Sequence, residues 1–479
     1  MTTAEKPDSA TISRRTVVQA AAAGAGIALA GSVGVLATAP GAIGRPGHHG
    51  LGYGPLVPDP EGLLSLPEGF SYRVITRTGE TLLESGESTP SNHDGTATFE
   101  GPRGSDLLVV NHELGGPRDE WDHPVPLTEG LVYDPAAAGG CTVVEVVDDG
   151  EHVTEWVGIA GTSTNCAGGS TPWGTWLTCE ETEDLAGENG MTKDHGYVFE
   201  VDPHDREACR EPRPIKALGR FAHEAVVVDS RQGHLYLTED ASEPNGLLYR
   251  WVPPHGFRHG RGRLRHLSDD AGTLQAFRCF DSGGRFVDDL SRATRIGTVY
   301  GVDWVEVPDR DARETPIRLQ FGQNEVTRSR KLEGMWWGDG GTYFVSSYAR
   351  DESPGLPHDG QVWFYDPKRR TVTLKVLLGV NADPSKPGGL DGPDNITVSP
   401  YGGLIIAEDG EGVQHLFGAN EDGDTYALAR NELNLGTEEE PEYSEFTGVT
   451  FSPDGRTLYA NIQTPGILLA ITGPWRRNR

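Results

Sequence analysis

Cysteine is scarce in this sequence, and its pattern excludes two common small-protein scaffolds. Five cysteines occur among 479 residues, at positions 141, 166, 179, 209 and 279. No two of them form a CxxC pair, so a zinc ribbon is not indicated. An odd and sparse set does not make a disulfide framework in an exported protein, so at least one thiol is expected to be free or bound to a ligand.

Basic residues are also few compared with acidic ones. The chain has 41 Lys and Arg against 71 Asp and Glu, which gives a formal net charge of −30. Because no basic stripe is available to neutralise phosphates, nucleic acid is excluded as a partner. Two explanations of the acidic excess remain open. A solvated acidic surface is expected to account for most of it, and carboxylates held together by bound cations for a particular subset.

Long apolar runs are absent after the N-terminal segment. Residues 13–18 read Ser-Arg-Arg-Thr-Val-Val, a twin-arginine pattern, and an uncharged stretch follows to about residue 39. Ala37-Thr38-Ala39 fits a small-x-small cleavage site. We therefore predict that residues 1–42 are a Tat-type signal peptide, handled by the Tat translocon and then removed. A retained membrane anchor is the alternative.

After cleavage the chain is expected to be soluble, with no membrane association and a location in the periplasm, the cell wall or the medium. Residues 43–479 are predicted to form one domain and, as a working expectation, a monomer. Apolar residues make up 36%, Gly 64 and Pro 33 are abundant, and helix-period stretches are rare. With ten Trp still to be buried, this composition is typical of a turn-rich β protein.

A polar–strand–turn–strand–polar pattern occurs six times. The copies begin at Asp94, Asn165, Glu224, Glu333, Asp394 and Thr447. Each spans about 14 residues, which is the length of a β-hairpin with five-residue strands. Both ends of a hairpin lie on the same side, so six of them arranged around an axis would bring their polar ends to one mouth.

The copies recur at roughly the spacing of four-stranded propeller blades. The sequence therefore predicts an all-β fold, a six-bladed β-propeller with loop insertions. The long third interval contains a basic stretch, and residues 250–300 are predicted to form an inserted loop or subdomain over one face. Unrelated hairpins in a β-sandwich are the alternative.

Acidic residues gather at the ends of the repeats. The set is Asp94, Glu113, Glu180, Glu181, Glu224, Glu239, Asp240, Glu333, Asp391, Asp394, Glu408 and Asp409. Carboxylates brought within a few ångströms repel strongly, so such a group is stable only with cations bound. Hard oxygen ligands in this number suit Ca²⁺. Each acid taken singly is equally well explained as a turn residue.

A thiol and a few basic residues accompany the acids. Cys179, between Thr178 and Glu180, suggests a softer or more highly charged ion beside calcium, whereas a buried apolar role is the alternative. Cys166, at the other end of the same hairpin, is the competing candidate. Lys331 lies two residues before Glu333 and, on a strand, points to the same side.

Several of these motifs together resemble the PhoX family of bacterial alkaline phosphatases. They are the run from Asn165 to Glu181, Asn111-His-Glu113, Ala222-His-Glu-Ala225, Asp391-Gly-Pro-Asp-Asn395 and the twin-arginine signal. The resemblance implies a propeller that hydrolyses phosphate monoesters with two or more Ca²⁺ and a pair of Fe³⁺ bridged by a thiolate. That thiolate would be Cys179.

The resemblance and the repeat together give a set of candidate site residues. Lys331, Glu333 and Asn165 are the candidate catalytic residues, with Lys331 standing where the family typically has an arginine. The candidate metal ligands are Glu113, Cys179, Glu180, Glu224, Glu239, Asp240, Glu333, Asp394 and Glu408.

Two other functions remain open. A calcium-dependent lactonase or phosphotriesterase would use a propeller with a central oxygen-ligand site but without iron or a thiol. A calcium-stabilised binding module would not turn over any ester. The sequence contains neither a Walker loop nor a G-x-S-x-G elbow, so no other chemistry is indicated.

Overall fold

The structure is a computed structural model that describes residues 51–147, 150–348 and 357–477. The predicted signal peptide, residues 1–42, lies outside the described residues. Of the residues that the structure describes, no helix combines the length and apolar character needed to cross a membrane. Regular structure is almost entirely β, as the composition predicts.

The described part of the chain forms 27 strands. They are β1 (Leu56–Val57), β2 (Leu64–Pro67), β3 (Ser71–Arg77), β4 (His93–Glu100), β5 (Asp106–His112), β6 (Gly139–Val147), β7 (His152–Thr162), β8 (Asn165–Ser170), β9 (Trp176–Glu180), β10 (Val198–Val201), β11 (His223–Val228), β12 (Leu235–Glu239), β13 (Leu248–Val252), β14 (Thr273–Phe280), β15 (Phe286–Val287), β16 (Val299–Glu306), β17 (Leu332–Gly338), β18 (Gly341–Ser347), β19 (Gly360–Asp366), β20 (Thr371–Leu377), β21 (Pro393–Val398), β22 (Leu404–Glu408), β23 (His415–Ala419), β24 (Thr425–Asn431), β25 (Phe446–Phe451), β26 (Thr457–Ile462) and β27 (Ile467–Thr472).

Helical structure in the described residues is limited to short 3₁₀ turns. They lie at Pro102–Gly104, Arg118–Glu120, Arg206–Cys209, Lys216–Leu218, Leu264–His266, Leu290–Arg292 and Ile317–Leu319.

The six sequence repeats form six antiparallel units, each beginning with an inner strand. The units are β4–β7, β8–β10, β11–β14, β17–β20, β21–β24, and β25–β27 completed by β3. The inner strands β4, β8, β11, β17, β21 and β25 contact one another in that order, and β25 contacts β4, so the ring is closed. The propeller class predicted from the repeat is confirmed.

Hydrogen bonding joins these units into five sheets in the described part of the chain rather than six. The reason is β16, which pairs with β14 of the third unit and with β20 of the fourth. β1 and β2 extend the fifth unit through β24. At the sixth, the early strand β3 pairs with the C-terminal strand β27, which ties the two ends of the ring together.

The core lies between neighbouring units. Between the fifth and sixth units, for example, Ile405 and Leu416 pack against Leu458 and Leu469, all of them buried. Alternating apolar positions on the facing sides of two sheets give this packing. Inner strands contact neighbours on both faces, which explains why most of their side chains are buried.

The basic stretch within the predicted insertion lies at the turn end of the second unit. Arg261 donates to the carbonyl of Trp173 and to Asp202, and His259 stacks on Trp173 at a ring separation of 5.1 Å. Arg265 donates to the carbonyl oxygens of Ala208, Arg210 and Glu211. The charge of this stretch therefore serves to bind backbone carbonyls and the carboxylate of Asp202.

Candidate metal centre

The same irregularity occurs at the start of every inner strand. A β-bulge follows the first cross-strand pair in five units and the second pair in the sixth, and in each bulge two residues of the inner strand face one residue of the second strand. A bulge leaves its residues unpaired and changes their direction. The first bulged residues of the six units are Asp94, Cys166, Glu224, Glu333, Asp394 and Gly448.

Small residues let the bulges approach one another around the axis. Gly95 and Gly334 occupy the second bulge position in their units. A Cβ at Gly95 would lie 2.6 Å from the Cα of Ala167, and one at Gly334 would lie 2.8 Å from the carbonyl oxygen of Asp394. A larger side chain at either position would force the inner strands apart and, with them, the residues that the bulges direct to the mouth.

Seven residues at this mouth, which we call the mouth group, bring their ligand atoms together in three overlapping sets. Within each set the atoms lie within 4.8 Å of one another. The sets are Cys166 with Glu181 and Glu224, then Glu224 with Glu333 and Asp394, then Asp394 with Asp409 and Glu445. Glu224 and Asp394 are each shared by two sets, so the seven residues form one continuous arc.

The electrostatics of the mouth group favour bound cations. Burial, followed by the nearby carboxylates of Glu333 and Glu181, raises the pKa of Glu224 well above its usual value. Burial, followed by Asp240 and Asp394, raises the pKa of Glu333 in the same way. Burial and the charge of Glu224 raise the pKa of the Cys166 thiol. Cations among these groups would reverse each shift, because they stabilise the ionised forms.

The donor set fits two kinds of metal ion. The two sets formed by Glu224, Glu333, Asp394, Asp409 and Glu445 contain only carboxylate oxygens, which are the ligands that Ca²⁺ prefers. The set with Cys166 combines sulfur with oxygen and suits a transition-metal ion better than calcium. The residues present therefore fit a mixed centre.

A lysine lies at the edge of the mouth group. Lys331 Nζ is 3.5 Å from Glu333 Oε1 and 3.6 Å from Asp409 Oδ2. Lys331 precedes β17 and has a positive φ of 33°, so this contact does not follow from the strand alternation expected above.

Glu113, Asp94 and Asp240 border the group. Gln463 Nε2 donates to Glu113 Oε2 at 2.6 Å and to Asp94 Oδ2 at 3.4 Å. Both carboxylates contribute to the raised pKa of Cys166, so they face the thiol side of the group. Asp240 contributes to the raised pKa of Glu333 and so faces the middle of the arc.

Three predicted ligands, Glu180, Glu239 and Glu408, lie instead in a repeated structural position. Each ends the second strand of its unit and accepts the backbone N–H at the start of the third strand: Tyr197 at 3.1 Å, Leu247 at 3.1 Å and His415 at 2.6 Å, respectively. Further donors satisfy the remaining hydrogen-bonding capacity of each carboxylate.

The additional donors account for the burial of these three carboxylates. Glu180 also accepts from Ser163, Gly196 and the ring of His195, Glu239 from Tyr249 and Arg318, and Glu408 from Asp391 and the ring of His415. Successive strand residues point to opposite sides. For that reason the residue that comes next in the chain points toward the mouth in each case. Glu181 and Asp409 belong to the mouth group, and Asp240 borders it.

The structure also changes the prediction of which cysteine lies among the candidate metal ligands. Cys179 is completely buried in an apolar cluster with Leu177, Val198 and Leu237, on the side of its strand that faces the neighbouring unit. Cys166, the competing candidate, lies with Glu181 and Glu224. The bulge explains the difference, because it directs Cys166 to the mouth, whereas Cys179, which faces the bulge, keeps its regular pairing with Val198 of β10 and points into the core.

Asn165 does not join the mouth group either. Its side chain is buried, accepts from Thr162 Oγ1 at 2.6 Å and donates to Thr178 Oγ1 at 2.8 Å. These bonds tie the start of β8 to the end of β7 and to β9, so the residue stabilises the scaffold beside Cys166 rather than facing the mouth.

Sequence reasoning missed Glu445 entirely. This residue precedes β25 and closes the arc from the sixth unit, where the bulge position is occupied by Gly448. It was missed because it lies outside the strand–turn–strand pattern. The only sequence signal was an acid two residues before the start of the sixth repeat.

Comparisons with known proteins support this architecture. A family model described as alkaline phosphatase PhoX matches residues 51–155 and 149–466. No curated protein matches the chain. The solved structure of Pseudomonas fluorescens PhoX, in complex with vanadate as a transition state analogue, matches with a TM-score of 0.64 and 20% identity, over 88% of this chain and 98% of that chain.

Two further structures match with lower scores. The PQQ domain of pyranose dehydrogenase from Coprinopsis cinerea has a TM-score of 0.40 and 12% identity, over 87% of this chain and 98% of that chain. A gluconolactonase from Xanthomonas campestris has a TM-score of 0.33 and 13% identity, over 84% of this chain and 100% of that chain. At such identities a structural likeness concerns the fold alone.

Proposed function

Since this chain belongs to the PhoX family of alkaline phosphatases, we propose that it hydrolyses phosphate monoesters at metal ions held by the mouth group. The single observation that carries the proposal is the arc of buried and half-buried carboxylates that ends on Cys166. Six carboxylates and a thiol at one end of a propeller channel need cations for their stability.

The ligand types suggest how the ions are distributed. Iron(III) is assigned to the sulfur-containing set of Cys166, Glu181 and Glu224, and Ca²⁺ to the two carboxylate sets that share Asp394. Cys166 thus takes the role of metal thiolate that the family resemblance would give to Cys179. When bound, these ions would offset the charge of a phosphate ester and lower the pKa of a bound water.

The chain itself contributes positive charge and orientation. Lys331 Nζ, held between Glu333 and Asp409, is positioned to donate a hydrogen bond to a phosphoryl oxygen. An ammonium group acts there as a point charge without the two-pronged geometry of an arginine. The carboxylates on either side restrict where it can move, which reduces the entropy lost on binding.

The thiol favours phosphatase activity over the alternatives from other propellers. A calcium-only lactonase or a calcium-stabilised binding module needs oxygen ligands and has no use for a cysteine among them. Export through the Tat pathway, inferred from residues 13–18, completes the proposal and is consistent with a protein that acquires its metal before crossing the membrane.

The test is hydrolysis by protein purified after export from a host with a Tat pathway. We expect phosphate release from phenyl phosphate, loss of this activity after chelation, and its recovery only when calcium and iron are both supplied. Hydrolysis that is unaffected by chelation, or hydrolysis of a lactone without any phosphate release, would contradict the proposal.

A further inference from the structure

A large cavity lies outside the mouth group and shares no lining residue with it. It has a volume of about 670 Å³ and is lined by three segments of the chain, which include Pro244 and Asn245, Phe286 and Asp289, and Phe321 and Arg328. Volumes of this size are typical of sites for small organic molecules. The hydrolytic chemistry proposed above uses none of these residues.

The chain connectivity places this cavity at the same end of the propeller as the mouth group. Asn245 lies in the loop between β12 and β13, at the end of β12 where Glu239 pairs with His223. Arg328 lies three residues before Lys331, and its guanidinium donates to the Asn245 carbonyl at 2.7 Å. Ser329 N donates to the Gly246 carbonyl at 3.3 Å, which joins the two loops into one wall.

The lining combines aromatic surface with negative charge. Phe286 and Phe321 are both half-buried and retain ring surface that a ligand can cover. The arginines in the wall are engaged by the protein itself. Arg292 is paired with Asp288 at 2.5 Å, and Arg328 donates to the carbonyl oxygens of Asn245 and Arg318.

We propose that this cavity binds the alcohol part of the phosphate ester, and that it fits an aromatic group that is neutral or positively charged. The assignment rests on the proposed phosphatase function. Phe rings favour a flat apolar group through stacking and burial. In the lining the carboxylates of Glu243, Asp288 and Asp289 outnumber the guanidinium groups of Arg292 and Arg328, so the excess negative charge opposes a second negative charge on the alcohol.

Paired substrates and paired variants test the assignment. For Phe321→Ala we expect the KM for phenyl phosphate to rise about tenfold, with kcat little changed. The KM for glycerol phosphate should change less than about twofold. Leu319→Ala is the matched control, since Leu319 is 50% exposed nearby and does not line the cavity. It should change neither substrate.

A second variant tests the role of the charge of the cavity lining, and it changes an exposed residue rather than one that packs against the hydrophobic core. Gln323 is exposed and lines the cavity, and Gln323→Lys should raise kcat/KM for 4-carboxyphenyl phosphate relative to phenyl phosphate severalfold. Unchanged substrate preference in both variants, or equal losses with phenyl and glycerol phosphate, overturns the assignment and leaves the phosphatase function intact. Absence of phosphate release by the wild-type protein contradicts the proposed function first and the assignment with it.

Discussion

Replacement of each of two buried cysteines by serine separates the metal thiol from the structural thiol. Cys166 and Cys179 lie on the two strands of one hairpin, and both are almost fully buried. Of the two, only Cys166 belongs to a group of possible metal ligands. Cys166→Ser should therefore lose metal, and Cys179→Ser should lose stability.

The structure gives rough magnitudes for both effects. In Cys166→Ser the hydroxyl can still donate to the His223 carbonyl, which Sγ contacts at 3.3 Å, so stability without metal should change little. Removal of a direct ligand should weaken iron binding by at least about 100-fold, since loss of outer partners alone costs 10–100-fold. In Cys179→Ser a hydroxyl buried among apolar side chains should cost about 1–3 kcal/mol.

The assay combines elemental analysis with thermal unfolding of both variants after dialysis. We expect Cys166→Ser to lack iron and to release phosphate at no more than about 1% of the wild-type rate, whereas Cys179→Ser should keep iron and unfold a few degrees earlier. If Cys179→Ser loses its iron while Cys166→Ser retains it, the assignment of the thiol is refuted.

The remaining predictions concern neighbouring acids, a buried histidine and the ions. Asp409→Asn should lower calcium content and activity, whereas Glu408→Gln should mainly lower the unfolding temperature; equal calcium loss in both, measured by elemental analysis, would contradict this. Burial alone would lower the pKa of His195, but Glu180 and Asp134 raise it to about 9. Its stabilisation, at most about 3 kcal/mol, should be complete below pH ~6.5 and be lost as the pH rises through 9. Denaturant unfolding from pH 6 to 10 should show this decline in the wild type and a smaller one in His195→Gln, and identical slopes would exclude the role. Calcium chelation should lower the unfolding temperature, since each ion present at 100 times its Kd contributes about 2.7 kcal/mol, and an unchanged midpoint in calorimetry would rule out structural calcium.

The propeller could be predicted because each of its inner hairpins has the same recognisable sequence pattern. Polar ends about 14 residues apart, apolar strands and Gly-containing turns recur six times, and the observed register pairs those ends, as in Asn165 with Glu180. Strand pairings between different units were harder to predict from the sequence. The bridging strand β16, which merges two units into one sheet, has no counterpart in the repeat.

The candidate site was predicted as a region more accurately than as a set of residues. Glu224, Glu333 and Asp394 are bulge residues that also begin the sequence repeats, so pattern and position coincide. At the end of the second strand, pattern alone could not decide between Glu180 and Glu181. The choice depends on the side to which each residue points and on where the third strand presents its backbone N–H groups.

The bulge itself leaves little trace in the sequence. It explains why Cys166 rather than Cys179 lies at the mouth, and its only signal is the small residue in second position, such as Gly95 or Gly334. Such residues are common in turn-rich proteins. Their meaning here comes from the close approach of neighbouring inner strands, which only the three-dimensional structure reveals.

The most direct test of the central claim is anomalous X-ray diffraction from crystals of the exported, metal-loaded protein, recorded on both sides of the iron absorption edge. We predict an iron peak about 2.3 Å from Cys166 Sγ, the usual metal–thiolate distance. Weaker calcium peaks should lie between Glu224, Glu333 and Asp394 and beside Asp409. Iron bound at Cys179, or metal peaks remote from the six bulges, would contradict the account.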